Sequence, residues 1–261
     1  NTTITSQDTS LWDWGYCISA MGRFFCIDRQ QRGAEPANPN AVYWSKPNSP
    51  DTFLVTDYDQ IFTDDGQFLT TLAAEQNIIY LHKPTAIYTM PLTITPDGLS
   101  VEPTGIFPTR SEYGALSPHG LVGTPYGWFF IGFNGVYQHQ GGDSEMISRE
   151  IRWFWRDSLE ASQIVNGAIT YDSHRDRLLV AVACRGSLTN NCTLVYDFIT
   201  QQWARYSFGA HHFQTLSYPT NNPQLYWADK TAATGGVYRM EEGLVTDLGN
   251  QIHPYFTTGW L

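Results

Sequence analysis

Gly120–Ser148 reads GLVGTPYGWFFIGFNGVYQHQGGDSEMIS, four short strand patterns separated by three turn signals. Leu121–Thr124, Trp128–Ile131, Val136–His139 and Glu145–Ser148 carry the strand residues. Pro125-Tyr126-Gly127, Asn134-Gly135 and Gly141-Gly142-Asp143 carry the turns, and Asn-Gly is the strongest short hairpin signal because both residues tolerate positive φ. Four antiparallel strands joined this tightly make one small sheet. Such a sheet has too little core to stand alone and needs similar sheets to pack against.

The rest of the chain supplies them. A Tyr-containing strand recurs as AVYWS around Tyr43, AIYTM around Tyr88, GVYQH around Tyr137, LVYDF around Tyr196 and GVYRM around Tyr238. The successive gaps are 45, 49, 59 and 42 residues, a spacing close to the roughly 40 to 50 residues of a propeller blade. A β-sandwich with aromatic-rich strands is the rival architecture, and it requires no such period. The spacing therefore predicts an all-β fold, a β-propeller of about five or more four-stranded antiparallel blades, treated as one domain over residues 1–261.

Read in order, TTIT near the N-terminus is an isolated strand suited to pairing with a neighbouring edge. GYCISA and RFFCID form a hairpin about Met21-Gly22, and an exposed loop follows at Arg32–Asn40. AVYWS and FLVTD, joined by a turn at Lys46–Asp51, complete the first blade. FLTTLAAE, NIIYLHK, AIYTMPL and SVEPTGIF form the second; a helix over Leu69–Asn77 competes there, but the apolar run Ile78–His82 favours strands. After the third blade, Ile151, Phe154, Trp155, Leu159 and Ile164 follow a period near 3.6, which predicts a short helix in the connection and accounts for the longest gap. GAITYD, RLLVAVAC, CTLVYDF and QWARYSF form the fourth blade, with turns at Asp172–Asp176, Arg185–Asn191 and Ile199–Gln201. HFQTLSY, QLYWAD, GGVYRME and GLVTDLG form the fifth, with turns at Pro219–Pro223, Lys230–Gly235 and Glu242-Gly243. The first residue is Asn1 rather than Met, and Gln251–Leu261 resembles the start of another repeat. Both point to a part of a longer polypeptide.

Composition bounds function. With 42% hydrophobic and 15% aromatic residues against 15% charged, the chain has material for a core of half-buried β surfaces. No apolar run of about 18 residues is present, so no membrane-spanning helix is expected. A net charge of −10 disfavours gripping DNA, whose backbone is held by Lys and Arg; an acidic surface would instead repel DNA and let it slide. The four cysteines fall in two local pairs. A Met21-Gly22 loop would set Cys17 opposite Cys26, within disulfide reach, and Cys184 and Cys192 flank the loop Arg185–Asn191. Disulfides and free thiols are both compatible with these spacings, and no CxxC or Cys/His zinc spacing occurs.

In order and context, VYWSKPNSPDTF, NIIYLHKPTAIYTM, GALSPHGLVGTPYGWFFIGFNGVYQHQGGDSEMISREI, TLVYDFITQQWARY and GGVYRMEEGLVTDLGNQIHPYFTTGWL resemble the propeller of tailed-phage nozzle, or tail tubular, proteins and the related packaged-DNA stabilisation hub proteins. The phrase that carries the resemblance comprises Ser117-Pro118, Gly127, Gly135-Val136-Tyr137, Gly141-Gly142 and Ile147-Ser148. These motifs follow from blade geometry and are not a catalytic signature. The resemblance implies a non-enzymatic virion protein of the phage tail, assembled in the host cytoplasm. It further implies a homo-oligomeric ring, commonly sixfold, that meets the portal and adaptor and lets genomic DNA pass without sequence-specific binding. The family's anchoring segments have no counterpart in this stretch.

Propellers also host enzymes and lectins. Asp64-Asp65-Gly66 offers half of a carboxylate pair for glycoside chemistry, but it reads more readily as a turn. Asp57-Tyr58-Asp59 presents alternating oxygens for Ca²⁺ without a further ligand series. His211 and His212 point to opposite faces of a strand, and His119, His139 and His174 are distant in sequence. Ser117 lies outside a nucleophile elbow, and Gly141-Gly142 and Gly235-Gly236 lack the helix and Lys of a phosphate loop. Trp12 with Trp14, and Trp153 with Trp155, have strand spacing suited to sugar stacking, a geometry the second pair loses in the expected helix; inter-blade packing is the simpler use. No catalytic, cofactor or metal residues are assigned. A carbohydrate- or receptor-binding propeller is the alternative function, with a glycoside hydrolase behind it.

Overall fold

The computed structural model describes residues 3–4, 14–28, 38–62, 65–96, 101–216, 224–229, 236–240, 246–247 and 250–251. The chain divides into two compact units, Asn1–Met146 and Ile147–Leu261. The expected class is the one observed: nearly all β, of propeller type, with antiparallel four-stranded blades and one short helix.

In the first unit, β1 (Thr3–Ile4) pairs with the edge of a meander made by β2 (Trp14–Ala20), β3 (Arg23–Asp28), β4 (Ala41–Lys46) and β5 (Ser49–Gln60). The Met21-Gly22 turn forms as expected, with Met21 at φ 46° and Gly22 at φ 77°. The second blade holds β6 (Thr71–Glu75), β7 (Ile78–Lys83) and β8 (Ala86–Ile94); the strand pattern prevails over the helical one at Leu69–Asn77. Its fourth strand is split into β9 (Val101–Pro103) and β10 (Phe107–Pro108), both on β8, with Gly105 at φ 121° between them. The third blade is β11 (Leu121–Thr124), β12 (Gly127–Gly132), β13 (Gly135–His139) and β14 (Ser144–Met146).

One turn in that third blade differs from expectation. Gly132 pairs with Gly135, so the loop is Phe133-Asn134 rather than Asn134-Gly135, and neither loop residue has positive φ. Gly132 is needed for space instead: a Cβ there would lie 2.7 Å from the Tyr137 ring.

Alternating side chains explain how the sheets stack. From the second blade, Leu72, Ile79, Leu81 and Met90 pack with Phe25, Ile27 and Val42 of the first. Ala73, Tyr80 and Ile87, out of phase with those, pack with Phe130 and Tyr137 of the third. A strand covered on both faces is largely apolar, so IIYL of β7 and WFFI of β12 read as apolar runs, with the buried polar pair His82-Lys83 closing the first. Outer strands have one wet face; in QWARY only Trp203 is buried.

In the second unit, the predicted helix is α1 (Arg152–Asp157), flanked by 3-10 turns at Arg149–Ile151 and Ala161–Asn166. Ile151, Phe154, Trp155, Leu159 and Ile164 are all buried, as their spacing anticipates. Six residues are too few to hold a helix by propensity, so this buried face holds it. Next come β15 (Ala168–Asp172), β16 (Arg177–Val182), β17 (Cys192–Asp197) and β18 (Gln202–Tyr206), then β19 (His212–Leu216), β20 (Gln224–Ala228) and β21 (Val237–Arg239). Their shared core contains Leu179, Ala181, Val195, Phe213, Leu225 and Trp227. A fourth strand was expected on the fifth blade from GLVTDLG. Its described residues Thr246–Asp247, strand β22, pair instead with Asn250–Gln251, strand β23. The fifth-blade turns, the main part of the Arg32–Asn40 loop and residues 252–261 lie outside the described residues.

All five recurring tyrosines occupy the third strand of successive blades: Tyr43 on β4, Tyr88 on β8, Tyr137 on β13, Tyr196 on β17 and Tyr238 on β21. None is exposed. Tyr43 stacks on Tyr58, Tyr137 on Phe130, and Tyr196 and Tyr238 lie against Trp203 and Trp227.

Candidate functional site

A buried polar cluster lies between the second and third blades. β7 turns His82 to the same face as Tyr80, and β13 turns His139 to the same face as Tyr137; both histidines are fully buried. Tyr80 meets the His139 ring edge-on with centroids 5.5 Å apart, and Phe130 meets His82 likewise at 5.6 Å.

Hydrogen bonds assign the tautomers. The Ala115 N–H donates to His82 Nδ1 over 3.2 Å, so the neutral His82 ring carries its proton on Nε2. Ser111 Oγ donates to the Tyr113 carbonyl over 2.6 Å and accepts from Ser144 Oγ over 2.5 Å. With the Ser144 proton committed there, His139 Nδ1–H donates to Ser144 Oγ over 3.3 Å, and Nε2 is left as an acceptor. Both Nε2 atoms are buried without a hydrogen-bond partner among the described residues, one as donor and one as acceptor. Thr70 clamps the other side of Ala115 by donating its hydroxyl to that residue's carbonyl over 2.5 Å.

Burial, with a smaller contribution from His139, pushes the His82 pKa down to about 3. Burial also lowers that of His139, against the pull of the Glu75 and Asp143 carboxylates, which favour its charged form. Both rings are therefore neutral at neutral pH. A nucleophilic role for Ser144 would need its proton on the histidine side, yet that proton goes to Ser111. A cation on His82 Nε2 would require the ring proton on Nδ1, where Ala115 N–H already points. The chemistry of the cluster suits it to fixing the hairpin of the third blade against the second.

Other candidates named from the sequence are structurally employed. Asp65 pairs with the buried Lys83, 3.2 and 3.3 Å from Nζ to its two oxygens, while Asp64 lies outside the described residues. Asp57 accepts from Thr56 and Asp59 from the Gln60 N–H, with Tyr58 stacked on Tyr43. Ser117 caps the 3-10 turn Pro118–Gly120. His174 sits in a hairpin turn, His119 is exposed in the 3-10 turn, and His211 and His212 lie at the start of β19. Among the described residues no three His, Cys, Asp or Glu side chains gather as a metal site. Gly141-Gly142 lies in the β13–β14 turn; Gly235 and Trp12 lie outside the described residues, and Trp14 is on β2. Trp153 is half exposed on α1 while Trp155 is buried, so the pair does not form a stacking face. The cysteines are free thiols, and the register sets Cys17 directly opposite Cys26 as expected.

Sequence reasoning passed over His82, Lys83, Ser111, Ser144 and the buried Arg23, which bonds the Ser45 carbonyl and pairs with Glu102. The signal available was the polar pair His82-Lys83 ending an otherwise apolar central strand.

No protein-family profile matches the sequence, and no curated protein matches it. Among solved structures, a protein from Lactobacillus plantarum is similar with a TM-score of 0.41 at 12% identity, covering 86% of this chain and 83% of that one. The extracellular domain of a Bacteroides thetaiotaomicron protein described as a hybrid two-component system gives 0.40 at 14%, covering 90% and 33%. An endo-arabinase from Bacteroides thetaiotaomicron gives 0.32 at 9%, covering 92% and 74%. None of the three is described as a virion protein. At these scores the likenesses carry no argument about function, and the description of the blades rests on their strand pairing.

Proposed function

We propose that this chain is a non-enzymatic structural propeller of a tailed-phage virion, a nozzle or hub component that contributes to the wall of the DNA exit channel. The phage assignment rests on the ordered phrases from VYWSKPNSPDTF to the C-terminal segment. The observation that carries the structural role is that Asp65, Ser117 and His139 are each spent on holding a blade together. The five recurring tyrosines, which a sugar-binding propeller would present to solvent, pack within or between strands. A net charge of −10 suits a wall past which DNA slides without gripping. The partners implied are further copies of this chain in a ring, the portal and adaptor, and passing DNA. No described helix is long and apolar enough to cross a membrane.

Native mass spectrometry of the full-length protein, alone and mixed with its portal–adaptor complex, tests this. A closed ring, or ring formation on the complex, is expected. A persistent monomer that ignores the complex overturns the proposal, and binding on a glycan array would then favour the carbohydrate-recognising alternative.

A further inference from the structure

The second unit holds a pair of thiols set in a built environment. Cys192 opens β17, opposite Val182, and is fully buried; Cys184 lies two residues beyond Val182 and is half-buried. The end of this hairpin is held firmly. Cys184 N–H donates to Asn191 Oδ1 over 2.8 Å, Asn191 N–H to the Val182 carbonyl over 3.1 Å, and Leu159 bridges to Cys184. Cys192 is the neighbour that most favours the Cys184 thiolate. Arg205, on the neighbouring strand β18, lies over the Phe154 ring at 5.5 Å and donates Nη2–H to Cys184 Sγ over 3.6 Å. One sulfur is thus reachable and faces a guanidinium, while its partner is buried beside it.

We propose that Cys184 and Cys192 form a reactive dithiol in which Cys184 attacks small-molecule disulfides and Cys192 resolves the product. The Cys184 thiolate forms a bond to one sulfur of the incoming disulfide and expels the other as a thiolate. Cys192 then attacks Cys184 Sγ, its proton passing to the departing sulfur, and expels the second small thiol. Two protein thiols are oxidised to one disulfide, and one small disulfide is reduced to two thiols.

The neighbouring Cys192 thiol, with help from the Arg205 charge, lowers the Cys184 pKa to about 6, while Cys192 is pushed up. At pH 6 an ordinary thiol is about 0.3% thiolate, so Cys184 has on the order of 150 times more. Its weaker intrinsic nucleophilicity returns roughly a factor of ten, leaving about a tenfold faster attack. Cys17 and Cys26 form an internal comparison, because no Arg contact is found at Cys17 among the described residues.

The test is to treat the reduced full chain with 2,2′-dipyridyl disulfide at pH 6, following pyridine-2-thione release and mapping the peptides. Two equivalents in a fast phase are expected, with a Cys184–Cys192 disulfide. Cys192→Ser should release one equivalent in that phase and keep the mixed disulfide on Cys184. Arg205→Gln should slow the phase several-fold. A fast phase that maps to Cys17–Cys26, the lack of any fast phase, or an unchanged rate in Arg205→Gln would each overturn the proposal.

Discussion

Acid should unfold this protein through His82, and the size of the effect follows from its burial. In the folded chain His82 titrates near 3, against an ordinary histidine value near 6.5 in the unfolded chain. Between those values the unfolded state binds a proton that the folded state refuses, so stability falls as pH falls. The contribution is intact above about pH 6.5 and declines by about 1.4 kcal/mol per pH unit toward pH 3. From pH 7 to pH 4.5 the loss is about 2.6 kcal/mol. His139 adds in the same direction, moderated by Glu75 and Asp143. Carboxylates elsewhere also contribute to acid unfolding, so the measurement must be a difference. His82→Asn keeps an acceptor for the Ala115 N–H but does not titrate. Urea unfolding of both proteins at pH 7 and pH 4.5 should show the variant weaker at pH 7, by about 1–3 kcal/mol for the lost ring. Its further loss on acidification should be smaller than wild type by about 2.6 kcal/mol. Equal acid losses in the two proteins would refute the assignment of His82 as a buried neutral group.

Asp65→Asn should destabilise by about 3 kcal/mol in urea titration, because it leaves the fully buried Lys83 ammonium without that carboxylate. Lys83→Met should cost less than about 1.5 kcal/mol, since Asp65 is one-third exposed and can be solvated. The reverse order would show the pair to be worth less than the solvation of its acid. Gly114→Ala should cost about 3 kcal/mol or more in the same assay, because the added Cβ would lie 2.0 Å from the Lys83 carbonyl oxygen, a backbone atom that cannot step aside. Gly142→Ala, with nothing within 4 Å, is the neutral control.

The blades were legible because their information is local. Tyr43, Tyr88, Tyr137, Tyr196 and Tyr238 mark third strands at blade spacing, and turn residues punctuate each meander. The helix was legible from Ile151, Phe154 and Trp155. The turn at Phe133-Asn134 was not, since Gly132 and Gly135 serve the passage of the Tyr137 ring and the last paired position rather than a positive φ. The split of the second blade's fourth strand at Gly105 and the pairing of β22 with β23 depend on which backbone groups find partners, which local pattern does not specify.

Sequence alone therefore determined the succession of strands, the place of the helix and the acidic character, because side-chain alternation and turn chemistry act over a few residues. Only tertiary structure decided that His82 meets the edge of Phe130, that Asp65 neutralises Lys83, and that Arg205 reaches Cys184. Those pairs lie far apart along the chain. A period of two assigns a side chain to a face, but the packing of one sheet on the next decides what that face meets.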